Sequence, residues 1–172
     1  MQPVILVTYA TRSGSSEEVA QVVADVLRQN GLAIEVQPAK AVHSLELYSA
    51  VVLAAALYMG RLHKHARRFL TAHSVALSKL PVALFVLGPV QNVEKDWAGA
   101  QQQLDKELTR FPWLTPFAQH IVGGKFDPAT MGFPFNLIPF LRRIPASDVR
   151  DWPAIRALAS DLAVRLQPAL QR

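Results

Sequence analysis

The chain has 172 residues, 51% hydrophobic and 18% charged, a balance that fits one domain with a filled core and not a disordered chain. It has no cysteine, which excludes disulfides, thiolate metal sites and thiol catalysis, so any redox chemistry must come from a bound cofactor. A net charge of +5 admits nucleic acid, an anionic membrane surface or an acidic ligand, but the aromatic residues are not interleaved with Lys and Arg, which argues against a nucleic-acid stacking platform.

Pro3 to Thr8 (PVILVT) is a short β-rich apolar run, and Glu18 to Asn30 follows with Val19, Val22, Val23, Val26 and Leu27 at helical spacing. With the first strand at Pro3, no secretory leader is expected ahead of it. Asn30-Gly31 closes that helix, and Leu32 to Val36 predicts a second strand. Tyr48 to Ala56 reads as a buried strand, and Leu62, Ala66, Phe69, Leu70, His73 and Leu77 form one helical stripe. His73 on that stripe reads as a core histidine. Pro81 to Leu87 predicts strand four, Trp97 to Phe111 its helix, and Ala118 to Val122 strand five. Asp151 caps a last helix with Pro153 in its first turn. The longest apolar stretch, Ala50 to Met59, is about half the roughly 20 residues a membrane-spanning helix needs.

Continuous apolar strands alternating with amphipathic helices predict a doubly wound α/β domain, a parallel sheet covered on both faces. Its domain spans 1–172, with one irregular insertion at about 123–150. Ligands in such sheets bind beyond the carboxyl ends of the strands, so those turns are the candidate site. After strand one, Thr11, Ser13, Ser15 and Ser16 supply hydroxyls, and Gly14 lets successive N–H groups curl toward a positive helix end, where a phosphate fits. Ser15 with Glu18 also reads as a capping box, which needs no ligand. There is no G-x-x-x-x-G-K-[ST] and no G-x-G-x-x-G, so ATP and dinucleotides are disfavoured.

T-R-S-G-S-S at Thr11 to Ser16 resembles the T-x-[ST]-G-x-[ST] phosphate loop of flavodoxins, the fold that serves as a type example of flavin mononucleotide (FMN) at the switch point of a doubly wound sheet. The resemblance covers essentially the whole chain. Thr11-Arg12, the A-x-x-x-G of Ala56 to Gly60, the late insertion and Asp151-Trp152 are similar to the branch containing the menaquinone-dependent protoporphyrinogen oxidases. The resemblance implies a flavodoxin-like five-stranded sheet of order 2-1-3-4-5 with FMN as cofactor. It implies phosphate contacts from Thr11, Arg12, Ser13, Gly14, Ser15 and Ser16. The flavin ring would lie between Leu57-Tyr58-Met59-Gly60 and Gly88-Pro89-Val90-Gln91. No catalytic side chain and no metal are implied; His63-x-His65 lacks a nearby carboxylate.

The function implied is an FMN-dependent oxidoreductase, passing electrons from protoporphyrinogen IX to a quinone. The alternatives are an electron carrier that serves a redox partner protein, and a flavin-free module of the same fold. Acidic flavodoxins differ from this chain, whose Arg61, His63, Lys64, His65, Arg67 and Arg68 follow strand three; they form either a solvated helix face or a cationic field for reduced flavin and an anionic tetrapyrrole. Glu17 and Glu18 oppose a phosphate, and Arg12 is expected to offset them. The apolar Met131 to Pro145, with Arg142-Arg143, either rests on an anionic membrane surface, lines a quinone or tetrapyrrole pocket, or packs on the sheet edge. A cytoplasmic location is expected, with 131–145 as the candidate contact to the inner face of the membrane.

Overall fold

A computed structural model describes residues 2–171. Its central sheet has the parallel order β2-β1-β3-β5-β6, built from β1 (Val4–Ala10), β2 (Ala33–Pro38), β3 (Tyr48–Tyr58), β5 (Val82–Leu87) and β6 (Ala118–Val122). A two-residue strand β4 (Arg61–Leu62) pairs antiparallel with the end of β3. Leaving β4 aside, this is the expected order, with β1 between β2 and β3.

The side-chain period of two sends alternate strand residues to opposite faces, and both faces are apolar. Ile5, Val7, Ala50, Val52, Phe85 and Leu87 pack against helices α1 (Ser15–Gln29) and α6 (Trp152–Ala169). Leu6, Val51, Leu53, Leu84 and Val86 pack against α2 (Lys64–Ala72), α3 (Ser74–Leu77) and α4 (Glu94–Leu108). Each large side chain so buried contributes roughly 1.5–3 kcal/mol. No helix among the described residues is long and apolar enough to cross a membrane.

Several local features differ from the sequence expectation. The first helix starts at Ser15 and not at Glu18, because Gly14 turns the chain at φ 92° and lets the hydroxyl-rich segment enter the helix. The stripe from Leu62 to Leu77 is broken at His73, whose φ of −108° and ψ of 20° leave the helical region. There His73 Nε2 lies 3.2 Å from the Val42 carbonyl and its ring packs on Phe69, the satisfied core role expected of it. Trp97 is only half-buried, with its indole N–H donated to Asn92 Oδ1 at 3.1 Å.

The segment after β6 has structure of its own. β7 (Lys125–Phe126) pairs antiparallel with β8 (Ser147–Asp148), closing a lobe that contains two 3₁₀ turns and the short helix α5 (Pro139–Arg142). Gly123 lies directly against the backbone at Val149, and Gly124 donates to the Pro89 carbonyl at 2.7 Å. The base of the lobe therefore braces the turn that follows β5.

Candidate functional site

Parallel neighbours β1, β3 and β5 end at one edge of the sheet, so the turns that follow them lie side by side there. In the first turn, Thr11 Oγ1 accepts the Gly14 N–H at 2.8 Å and holds the loop closed. The first bond of α1 runs from Glu18 N–H to the Gly14 carbonyl at 3.0 Å, so the N–H groups of Ser15, Ser16 and Glu17 have no intrahelical acceptor. No side chain caps this helix end. Ser16 is fully buried, and its Oγ has no hydrogen-bond partner among the described residues. Ser13 and Arg12 are exposed.

The Ser15–Glu18 capping box, the alternative reading of this turn, is not formed. Ser15 is already helical, one residue past the cap position, and the Glu18 carboxylate is bound by Arg150. Arg150 also donates from Nε and Nη2 to the two carboxylate oxygens of Asp148 at 2.8 and 2.7 Å, and its guanidinium lies 4.7 Å from the centre of the Trp152 ring. Its hydrogen bonds hold the Asp148 carboxyl below the usual carboxylate range. Glu17 accepts the Tyr9 hydroxyl at 3.0 Å; burial and then this bond push the Tyr9 pKa up.

Both acids beside the loop are thus engaged by Tyr9 and Arg150. Arg12, expected to offset them, instead donates to the Phe133 carbonyl at 3.4 Å and sits 4.5 Å over the Phe135 ring.

The second turn is tighter than expected. Leu57 and Tyr58 are the last residues of β3, paired with Leu62 and Arg61, and only Met59 and Gly60 form the turn. Both have left-handed φ, 49° and 76°, the conformation of a two-residue hairpin whose twist matches its strands. Met59 is 82% exposed at the tip, and Tyr58 meets Phe135 edge-on at 5.9 Å. Phe135 of the lobe thereby bridges the first and second turns.

In the third turn, a Cβ on Gly88 would meet Ile121 and Ala100 at 3.1 and 3.2 Å, so packing against β6 and α4 explains this glycine. Pro89 is buried, Val90 half-buried and Gln91 exposed.

The cations after β3 divide into two groups. Arg67 Nε donates to the Leu62 carbonyl at 3.0 Å, and Arg61 Nε lies 3.9 Å from Glu107, whereas Lys64 and Arg68 face solvent. His63 is the cap of α2: its Nδ1 accepts the His65 N–H at 3.2 Å, which requires an unprotonated ring nitrogen. Burial, followed by His65, Lys64, Arg12 and Arg67, lowers its pKa from 6.5. The folded chain then binds fewer protons than the unfolded one. The stability so gained is present above about pH 6.5 and is lost as pH falls through the folded value. Thermal melting between about pH 7 and 5 is expected to show a smaller fall in Tm for His63→Asn, which caps without titrating, than for the wild type. Equal falls would exclude His63 as a source of the dependence. No cluster of three metal-ligating side chains occurs among the described residues.

A family model described as flavodoxin domain matches residues 6–135, from β1 into the lobe. The chain belongs to the flavodoxin-domain family. No curated protein matches it. Among solved structures, it is similar to the rubredoxin oxygen:oxidoreductase of the anaerobe Desulfovibrio gigas, at TM-score 0.63 and 15% identity over 99% of this chain. It spans 38% of the length of that protein. A flavodoxin from the domain Archaea aligns at TM-score 0.60 and 11% identity, over 95% of this chain and 99% of its own. The two-electron reduced flavodoxin of Megasphaera elsdenii aligns at TM-score 0.56 and 16% identity, over 93% and 98% respectively. At these identities the structural likenesses establish the flavodoxin fold and nothing finer.

Sequence reasoning missed Phe135, Tyr9 and Arg150. Arg150 acts on Glu18 from 132 positions away, a pairing that no local spacing encodes.

Proposed function

We propose that this flavodoxin-domain chain binds FMN noncovalently and works as a redox protein. The observation that carries the reading is the buried Ser16 Oγ, unpartnered among the described residues, at an uncapped helix start beside a loop that the Thr11–Gly14 bond holds in shape. An orphaned hydroxyl beside N–H groups without acceptors is costly unless something accepts from them, and a phosphate monoester fits that donor set. Thr11, Ser13, Gly14, Ser15 and Ser16 would hold the monoester. Arg12 would join them only by leaving the lobe. Leu57, Tyr58, Met59 and Gly60 would flank one side of the ring, and Gly88, Pro89, Val90 and Gln91 the other.

FMN, when bound, supplies electron transfer in one- or two-electron steps. The protein's part is to orient it and set the surrounding charge. Arg150 offsets the charge of Glu18, the Tyr9 hydroxyl fixes the Glu17 carboxylate in place, and Lys64 and Arg68 add positive field near the second turn. Absorbance of the purified protein and an FMN titration test the reading: one equivalent bound at micromolar or tighter affinity is expected. A colourless protein that takes up no FMN would leave a flavin-free module of this fold.

The finer reading is a protoporphyrinogen oxidase that delivers electrons to a quinone. It is supported by the lobe, which sets Phe133, Leu137 and Phe140, 65–76% exposed, near Arg142-Arg143 in the segment whose Phe135 touches the site. Apolar side chains with nearby guanidinium groups suit an apolar tetrapyrrole that carries carboxylates, and the same combination suits an anionic lipid surface at the inner membrane face. An anaerobic assay with protoporphyrinogen and menadione separates this activity from an electron carrier, which would reduce a partner protein and show no such turnover.

A further inference from the structure

Glu107 is 1% exposed, the most deeply buried carboxylate among the described residues, and lies outside every segment assigned to the site. A charged group is retained at such depth only where partners offset its desolvation. Its Oε1 accepts the Leu62 N–H at 3.2 Å, and its Oε2 lies 3.1 Å from Arg110 Nε and 3.9 Å from Arg61 Nε.

The geometry of the hairpin explains why Leu62 needs this acceptor. In a two-residue hairpin the closing pair, Tyr58 and Arg61, exchanges the backbone bonds, and the next pair, Leu57 and Leu62, points its N–H and carbonyl groups outward. Leu62 is only 2% exposed, so water cannot satisfy those groups. Arg67 takes the carbonyl and Glu107 takes the N–H. We infer that Glu107 is a positioning residue, which sets the Met59-Gly60 tip against the flavin ring by fixing the return strand β4 to α4. The inference rests on the FMN reading of the site and assigns Glu107 to the ring side, with no part in holding the phosphate.

Glu107→Met and Glu107→Gln test it by two readouts. In flavin-free protein, amide hydrogen exchange across Leu57–His63 is expected to speed at least about 10-fold in Glu107→Met while β1 keeps its protection. Glu107→Gln retains an oxygen for Leu62 but loses the ion pairs, and should fall between. In titrations, affinities for FMN and for riboflavin, which lacks the phosphate, are expected to drop by the same factor, about 10-fold for Glu107→Met. Should the Met variant fail to fold, the Gln variant decides, by an intermediate loss of exchange protection and of both affinities. Unchanged exchange in the hairpin, or a loss confined to FMN, overturns the inference. A wild-type chain that binds no FMN overturns the site reading together with it, whereas wild-type binding with both variants unchanged overturns the role of Glu107 alone.

Discussion

A Ser15→Asp chain will bind FMN on the order of 100-fold more weakly than the wild type and will melt no lower. Ser15 is the first residue of α1, next to three N–H groups without intrahelical acceptors and the orphaned Ser16 hydroxyl. A carboxylate there meets the phosphate as a like charge at about 4 Å, worth roughly 4 kcal/mol at an effective dielectric near 20 before screening. Screening brings this toward the roughly 2.7 kcal/mol that a 100-fold change represents. The same carboxylate suits the positive end of the helix, where an acidic residue stabilises by about 0.3–1 kcal/mol. Binding and stability thus move in opposite directions, so a loss of affinity cannot be put down to unfolding. Riboflavin affinity should stay within about 2-fold of wild type. An FMN affinity that does not change would remove the phosphate from this loop.

Gly123→Ala is expected to be the most damaging of the glycine-to-alanine changes in this protein. A Cβ at this position would stand 2.0 Å from the Val149 carbonyl oxygen and 2.5 Å from its carbon, a backbone collision that no side-chain movement relieves. The base of the lobe must separate from β6, at a cost of about 3 kcal/mol or more. For a chain of this size Tm should fall by roughly 6–12 °C. The displacement also pulls at Arg150, next to Val149, and so at its grip on Glu18 beside the phosphate loop. FMN affinity is therefore expected to fall as well, measured at a temperature where the variant is folded. Gly99→Ala is the control: no atom lies within 4 Å of its Cβ in mid-helix α4, and it should raise Tm slightly. A Gly123→Ala chain that melts like the wild type would contradict the close approach of the two backbones.

Features that depend on near neighbours in the chain were legible without coordinates. The five main strands read as unbroken apolar runs because a parallel sheet buried on both faces asks for apolar side chains at every position. Gly31 stands at φ 82° after α1, and Asp151 Oδ1 accepts the Ala154 N–H at 3.0 Å at the start of α6, because caps are set by residues within one turn. The hydroxyl-rich turn between Ala10 and α1 belongs to the same class.

Misreadings arose where a local pattern had a distant competitor. Ser15 and Glu18 have the spacing of a capping box, but Arg150 offers Glu18 a full positive charge, which a backbone N–H does not carry. Arg12 stands beside two acids in sequence, yet its guanidinium goes to the Phe133 carbonyl and the Phe135 ring. Nothing local in the sequence pointed to the partners of Arg61 and Arg67: Arg61, itself exposed, lies 3.9 Å from the buried Glu107, and Arg67 holds the carbonyl of Leu62.

Composition and periodicity, then, were sufficient for the layers, the strand-to-helix turns and the hydroxyls at the first of them, since each follows from one segment meeting water on one side and core on the other. Tertiary structure alone decided that the late lobe reaches back to Arg12 and Tyr58, that Arg150 neutralises Glu18, and that Glu107 holds the hairpin. Those contacts join residues 45 to 132 positions apart, and they exist only because the parallel sheet brings its turns to one edge.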